Sequence, residues 1–186
     1  MKRIFDLLIL VPIALLFFLP FLIINIFLLL TIKGSIYYWS DRVGINNDIF
    51  RMPKFRTMKL DTPELPTHLL VDSTKYLIPC GNFLRKTSLD ELPQLWSIMR
   101  GDMSFVGPRP ALYNEKTLIE LRTNVGVHKI IPGLTGWAQV NGRDLISPEQ
   151  KLELDIIYLN NMSLAFDIRI LFITLIKVLK REGISV

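Results

Sequence analysis

The sequence predicts an α/β, membrane-associated (monotopic) fold. It comprises a re-entrant N-terminal helix and a small, helix-rich domain with a short β-hairpin and interfacial amphipathic helices. Three observations carry this prediction. Ile4 to Ile32 is a nearly unbroken apolar run with one acid, Asp6, and one amide, Asn25. Basic residues flank that run on both sides. The rest of the 186 residues mixes strand, turn and helix signals over the length of a single domain.

The apolar run exceeds the roughly 18 residues at which a membrane segment becomes the default reading. It is also longer than the roughly 7–15-residue core of a secretory signal, and no small-residue cleavage site follows it. A straight helix over these residues would be about 43 Å long, against a hydrocarbon core of about 30 Å. Tilt can absorb the surplus. Pro12 and Pro20, however, each remove a backbone donor, and a break at the central Pro20 would turn one span into two half-depth helices. Lys2 and Arg3 precede the run; Lys33, Arg42, Arg51, Lys54, Arg56 and Lys59 follow it. Both flanks therefore ask for the cytoplasmic side. A hairpin entering and leaving one leaflet satisfies both, and a tilted, kinked spanning helix is the alternative. The expected division is a membrane helix over 1–33 and a domain over 34–186.

Alternating β-branched and aromatic residues over 35–58, split by Gly44-Ile45-Asn46-Asn47-Asp48, predict a β-hairpin. Residues 61–82, with Pro63, Pro66, Pro79 and Gly81, predict an irregular loop. A helix is expected from about Leu92 to Arg100 with Gly101 just past its end, and another from Ala111 to about Arg122. Ser147-Pro148-Glu149-Gln150 has a capping serine, a proline in the first turn and a glutamine closing the capping box, so a helix should run to about Leu159. The last element, 167–181, is apolar with Arg169, Lys177, Lys180 and Arg181 along one edge. That pattern suits a helix lying on a membrane or, equally, a core helix with a solvated stripe.

The net charge of +5 lies almost wholly outside the apolar run and suits an anionic partner, lipid headgroup or phosphorylated substrate. No basic block or motif points to nucleic acid. The single Cys80 excludes an intramolecular disulfide and a thiolate cluster, and His68 and His128 alone do not make a zinc site. Any metal is expected to be a hard cation held by carboxylate and phosphate oxygens.

Three segments concentrate polar and constrained residues. In Arg85-Lys86-Thr87-Ser88-Leu89-Asp90-Glu91-Leu92-Pro93-Gln94, Pro93 belongs in a first helical turn, which places Asp90 and Glu91 at the mouth of a helix. A carboxylate there is expected to be ionised and can act as nucleophile, metal ligand or both. The alternative is an ordinary capping box, Ser88 with Glu91. In Gly101 to Pro110, two prolines bracket Arg109 and present a phosphate-binding fork. A rigid turn with a solvated arginine is the plainer reading. Pro132 to Arg143 holds three glycines, Trp137, Gln139, Asn141 and Arg143, the composition of a ligand-approach loop. Lys54 and Arg56, two residues apart, are expected on one strand face.

Lys54-Phe55-Arg56-Thr57-Met58, Ser88 to Gln94, Gly101 to Pro110 and Pro132 to Arg143 occur in the order and spacing of the bacterial sugar transferase family. The chain resembles its small monotopic phosphoglycosyl transferases over essentially the whole length, and is similar to those initiating bacterial N-glycan and O-antigen assembly. The resemblance implies an Mg2+-dependent enzyme in the bacterial inner membrane, with a cytoplasm-facing site. It would move a sugar 1-phosphate from a UDP-sugar to polyprenyl (undecaprenyl) phosphate, releasing UMP. Asp90 matches the nucleophile that forms a phosphosugar–enzyme intermediate, and Glu91 the second acid. Asp90 and Glu91 are also the expected metal ligands. Arg109 matches the phosphate-gripping arginine; Lys54, Arg56, Arg85, Gln139, Asn141 and Arg143 are further substrate-binding candidates. Membrane lipids are expected partners, nucleic acid is not, and a homodimer is left open.

Three departures stand out. Leu19 replaces the serine that often precedes the helix-breaking proline. Arg42-Val43-Gly44 and Ile131-Pro132-Gly133 each depart from an Arg-Pro-Gly pattern. The first bears on the membrane geometry and the last on donor recognition. Two readings from other classes remain open at the level of sequence: a non-catalytic adaptor binding acidic lipids, and a phosphohydrolase that sends the same phosphoenzyme to water.

Overall fold

The computed structural model describes residues 1–62, 73–142 and 146–180. Helix α1 spans Lys2–Thr31 and is the one described helix long and apolar enough to cross a membrane by length and composition. Pro12 and Pro20 lie inside it, and the helix continues through both. The expected break at Pro20 is therefore not an interruption of the helix. A proline removes one intrahelical bond and crowds the carbonyl four residues before it, yet prolines are tolerated inside apolar membrane helices.

Strands β1 (Tyr37–Val43) and β2 (Ile49–Phe55) form the expected antiparallel hairpin, with Tyr37 opposite Phe55 and Val43 opposite Ile49. Asn46 and Asn47 take left-handed backbone angles in its turn, which asparagine tolerates better than most residues. Of the loop expected over 61–82, residues 63–72 lie outside the described residues. Its end already belongs to α2, Gly81–Lys86. A 3-10 turn, Leu89–Gln94, then leads into α3, Leu95–Arg100, which ends at Gly101 with φ of 95°. The expected helix start at Leu92 is thus a tighter coil.

Strand β3 (Ser104–Val106) pairs in parallel with β4 (Gly133–Thr135). Between them, α4 covers Lys116–Asn124 rather than starting at Ala111. Ala111 and Leu112 are diverted to the hairpin: Val43 N donates to Ala111 O at 2.9 Å, and Arg42 bridges Leu112. The segment expected to be a ligand-approach loop is strand β4 followed by helix α5, Trp137–Asn141. Its glycines serve chain packing, because a Cβ on Gly133 or Gly136 would overlap the backbone of Gly107. Helix α6, Pro148–Asn160, has the full Ser147–Gln150 capping box. Helix α7, Leu164–Lys180, begins three residues before the expected start; Arg181 lies outside the described residues.

Two apolar clusters organise the chain. One gathers Met52, Ile98, Met103, Phe105, Val106, Tyr158 and Ile170; the other gathers Ile36, Phe55, Ile78 and Leu84. Helix α1 contributes to both, with Leu10 in the first and Ile24 and Leu28 in the second. Those anchor points are 18 residues apart, about 27 Å along a helix, yet both rest on one body. Between them α1 exposes Val11, Leu15, Leu16, Phe18, Leu19 and Ile23.

The N-terminal end of α1 is fastened by polar contacts. Asp6, only 3% exposed, accepts from the Ser104 hydroxyl at 2.9 Å and from Phe105 N at 3.1 Å. Lys2 pairs with Asp167 at 2.6 Å, and Tyr158 donates to the same carboxylate at 2.7 Å. Burial and that carboxylate push the Tyr158 phenol well up. Arg3 donates to the carbonyls of Ile98 and Met99 at the end of α3, where a cation also suits the helix dipole.

Candidate active site

The turn Leu89–Gln94 places Asp90 and Glu91 side by side against β2. Ser88, just before it, has φ of 56°, an uncommon conformation for a residue with a Cβ, and makes no capping bond. The capping-box alternative is therefore not realised. Glu91 instead faces two cations: Lys54 Nζ lies 2.7 Å from Oε1, and Arg109 Nη2 lies 3.6 Å from the same oxygen.

Asp90 is 8% exposed. Burial, and secondly the charge of Glu91, raise its carboxyl to about 6, while Lys54 and Arg85 pull the other way. The shift runs against the expectation of an acid held ionised by a helix start. A six-residue 3-10 turn offers little aligned dipole, so desolvation dominates. A poorly solvated carboxylate with Lys54 and Arg85 within electrostatic reach can act, when ionised, as a nucleophile toward phosphorus.

The Pro108-Arg109-Pro110 turn is held through all three of its carbonyls, each by a different element. Gly133 N donates to Pro108 O at 2.9 Å, Arg122 Nη1 to Arg109 O at 2.8 Å, and Arg42 Nη1 to Pro110 O at 3.2 Å. Prolines cannot donate, so the carbonyls are what the fold can grip. Arg122 is itself fixed by a buried pair with Asp155 on α6, at 2.6 and 2.9 Å. Arg42 is pushed down to about 10, first by burial and then by the charge of Arg109. These arginines leave the Arg109 side chain about one third exposed and aimed at Glu91.

The structure thus brings together Asp90, Glu91, Lys54 and Arg109, with Arg85 acting electrostatically on Asp90. Other candidates fall elsewhere. Arg56 follows the end of β2, and its guanidinium lies beside Gly34 near the foot of α1. Asn141 donates to Trp137 O within its own helix at 2.8 Å. Gln139 is buried on α5, and neither of its amide atoms has a hydrogen-bond partner among the described residues. Trp137 packs on Phe166 and under Arg169. Arg143 and His68 lie outside the described residues. Sequence reasoning missed Arg122 and Asp155 and did not single out Arg42, whose roles depend on distant partners. Asp6 carried a legible signal, as the lone acid in an apolar run.

Among the described residues no group of three or more acidic, histidine or cysteine side chains converges. Magnesium does not need one. It is commonly held by one or two carboxylates together with water and substrate phosphates, and the adjacent Asp90 and Glu91 fit that donor set.

Comparison with known proteins adds the following. The family model described as bacterial sugar transferase matches residues 1–181. An uncharacterized sugar transferase, EpsL of Bacillus subtilis, is 42% identical over 84% of this chain and 76% of its own length. The UDP-galactose-lipid carrier transferase of Erwinia amylovora is 39% identical over 98% of this chain. The UDP-glucose:undecaprenyl-phosphate glucose-1-phosphate transferase of Escherichia coli is 36% identical over 80% of it. The chain spans only 41% and 33% of the length of the latter two.

Proposed function

This chain belongs to the bacterial sugar transferase family, and from that premise we propose that it moves a sugar 1-phosphate from a UDP-sugar to a polyprenyl phosphate, through a covalent intermediate on Asp90. The observation that carries the reading is a buried, raised carboxylate beside an acid that is clamped by Lys54 and Arg109. In the first step an Asp90 oxygen forms a bond to the donor's β-phosphorus as the bridging P–O bond breaks, and UMP leaves with that bridging oxygen. In the second, a phosphate oxygen of the acceptor attacks the same phosphorus and frees Asp90. The lipid then carries a diphosphate-linked sugar.

The chain's own residues serve these steps electrostatically. Lys54 and Arg109 offset the charge that gathers when two anions meet, and their prior fixation by Glu91 and the carbonyl clamp spares reorganisation during reaction. Asp90 and Glu91 are the residues that would hold magnesium, which when bound supplies further positive charge at the diphosphate. A covalent intermediate lets a water-soluble donor and a lipid acceptor use one site in turn.

The membrane reading rests on α1. Both of its ends dock on one body while its middle is exposed and apolar, which supports a helix entering and leaving a single leaflet. The basic flanks favour a cytoplasm-facing site, and the inner membrane is the location that the family resemblance implies. A panel of UDP-sugars, tested with undecaprenyl phosphate present, should yield UMP from at least one and none with Asp90→Asn. Near-normal turnover by Asp90→Asn would overturn the mechanism. Free sugar phosphate formed without an acceptor would indicate hydrolysis instead.

A further inference from the structure

An apolar groove of about 480 Å³ runs between α1 and the hairpin, with walls that include Ala14, Phe18, Trp39, Pro53, Pro93 and Trp96. Its volume is in the range of a built ligand site. Two features relate it to the chemistry. Leu92 and Pro93 line it, and they directly follow Asp90 and Glu91 on the same 3-10 turn. Pro53 lines it as well, next to Lys54, which holds Glu91. One face of a short turn therefore borders an apolar groove, while Glu91 on the same turn meets Lys54 and Arg109.

The outer side of the groove is equally informative. Phe18, Trp39 and Trp96 remain 43–60% exposed, beside the bare apolar face of α1. The groove is thus open to whatever covers that helix. Its occupant should be an apolar chain that turns anionic within one or two residues' length of Leu92. A glycerophospholipid interposes a glycerol bridge and brings two chains. A prenyl phosphate joins a single chain directly to its phosphate.

We propose that this groove seats the isoprene units nearest the phosphate of the acceptor, and so delivers that phosphate to Asp90. The inference rests on the function proposed above and adds where the acceptor's chain lies and how it is aligned. The groove makes the acceptor's hydrocarbon chain a determinant of its KM, while the donor step does not use it.

Ala14→Trp fills the groove from α1 and replaces no residue of the acidic turn. It should raise the KM for undecaprenyl phosphate about tenfold, the loss expected when roughly two methylenes leave an apolar site. The effect should fall on the acceptor KM and not on donor-only UMP release. In the wild-type protein, KM should fall from geranyl to farnesyl phosphate and then level off toward undecaprenyl phosphate. That series stands even where the variant does not fold. An acceptor KM that ignores both chain length and Ala14→Trp would overturn the proposal. So would weaker binding of the variant to phosphatidylglycerol vesicles, or loss of a dimer, at unchanged acceptor KM; these would assign the groove to bulk lipid or to a second copy. Absence of UMP release from the wild-type protein would instead count against the proposed function.

Discussion

Asparagine at position 90 keeps the shape of the side chain and removes its charge from a site that solvates it poorly. The Asp90 carboxyl rises from 3.8 to about 6. That is roughly a hundredfold in proton affinity, or about 3 kcal/mol. The sign follows from linkage. Between about pH 4 and pH 6 the folded chain holds this proton and the unfolded chain has released it, so stability falls as pH rises through that window. Above it the cost of the ionised group is fully present. Asp90→Asn should therefore stabilise the metal-free protein at pH 7.5 by about 1–3 kcal/mol while abolishing its chemistry. At roughly 3 °C per kcal/mol for a chain of this size, the melting midpoint should rise by about 3–9 °C. Thermal melts in detergent with EDTA, at pH 7.5 and pH 4.5, would check this, because the gap should shrink where the wild-type carboxyl is protonated. A lower midpoint for Asp90→Asn at pH 7.5, or a gap unchanged at pH 4.5, would refute the reasoning.

Other outcomes follow from the same geometry. Arg122→Met strips a buried partner from Asp155 and releases the Arg109 carbonyl; it should cost about 3–5 kcal/mol, and Asp155→Leu in the same chain should restore part of that in a denaturant cycle. Lys54→Met removes a cation that favours ionised Asp90, so the acid limb of the pH profile for UMP release should move to higher pH; an unmoved limb would contradict the assignment. Single cysteines at residues 2 and 33, in a Cys80→Ala background, should be labelled from the same side of the membrane; opposite sides would establish a spanning helix.

Local chemistry was legible in the sequence where neighbours decide the outcome. The hairpin follows from alternating residues around an Asn-Asn turn, and α6 from Ser147, Pro148 and Gln150 acting within one turn. Asp90, Glu91, Lys54 and Arg109 were identifiable as types and as motifs, and the structure gathers them. What the sequence hid depends on distant partners. The backbone of Ala111 and Leu112 reads as helix until Arg42 and Val43 claim it. Glycines 133 and 136 look ready for a ligand until Gly107 occupies the space. The arginines that clamp the Pro-Arg-Pro turn have no local signal, because their carbonyl targets lie 13 and 68 residues away. The direction of the shift at Asp90 was hidden for the same reason: burial is a property of the assembled site.

The most direct measurement uses the donor alone. The purified protein would be incubated with a radiolabelled UDP-sugar and magnesium, without acceptor, then quenched, digested and mapped by mass spectrometry. The account predicts one sugar-phosphate adduct per active site, carried by Asp90 and discharged on adding undecaprenyl phosphate. An adduct on another side chain, or product formed with no adduct at any time, would contradict it.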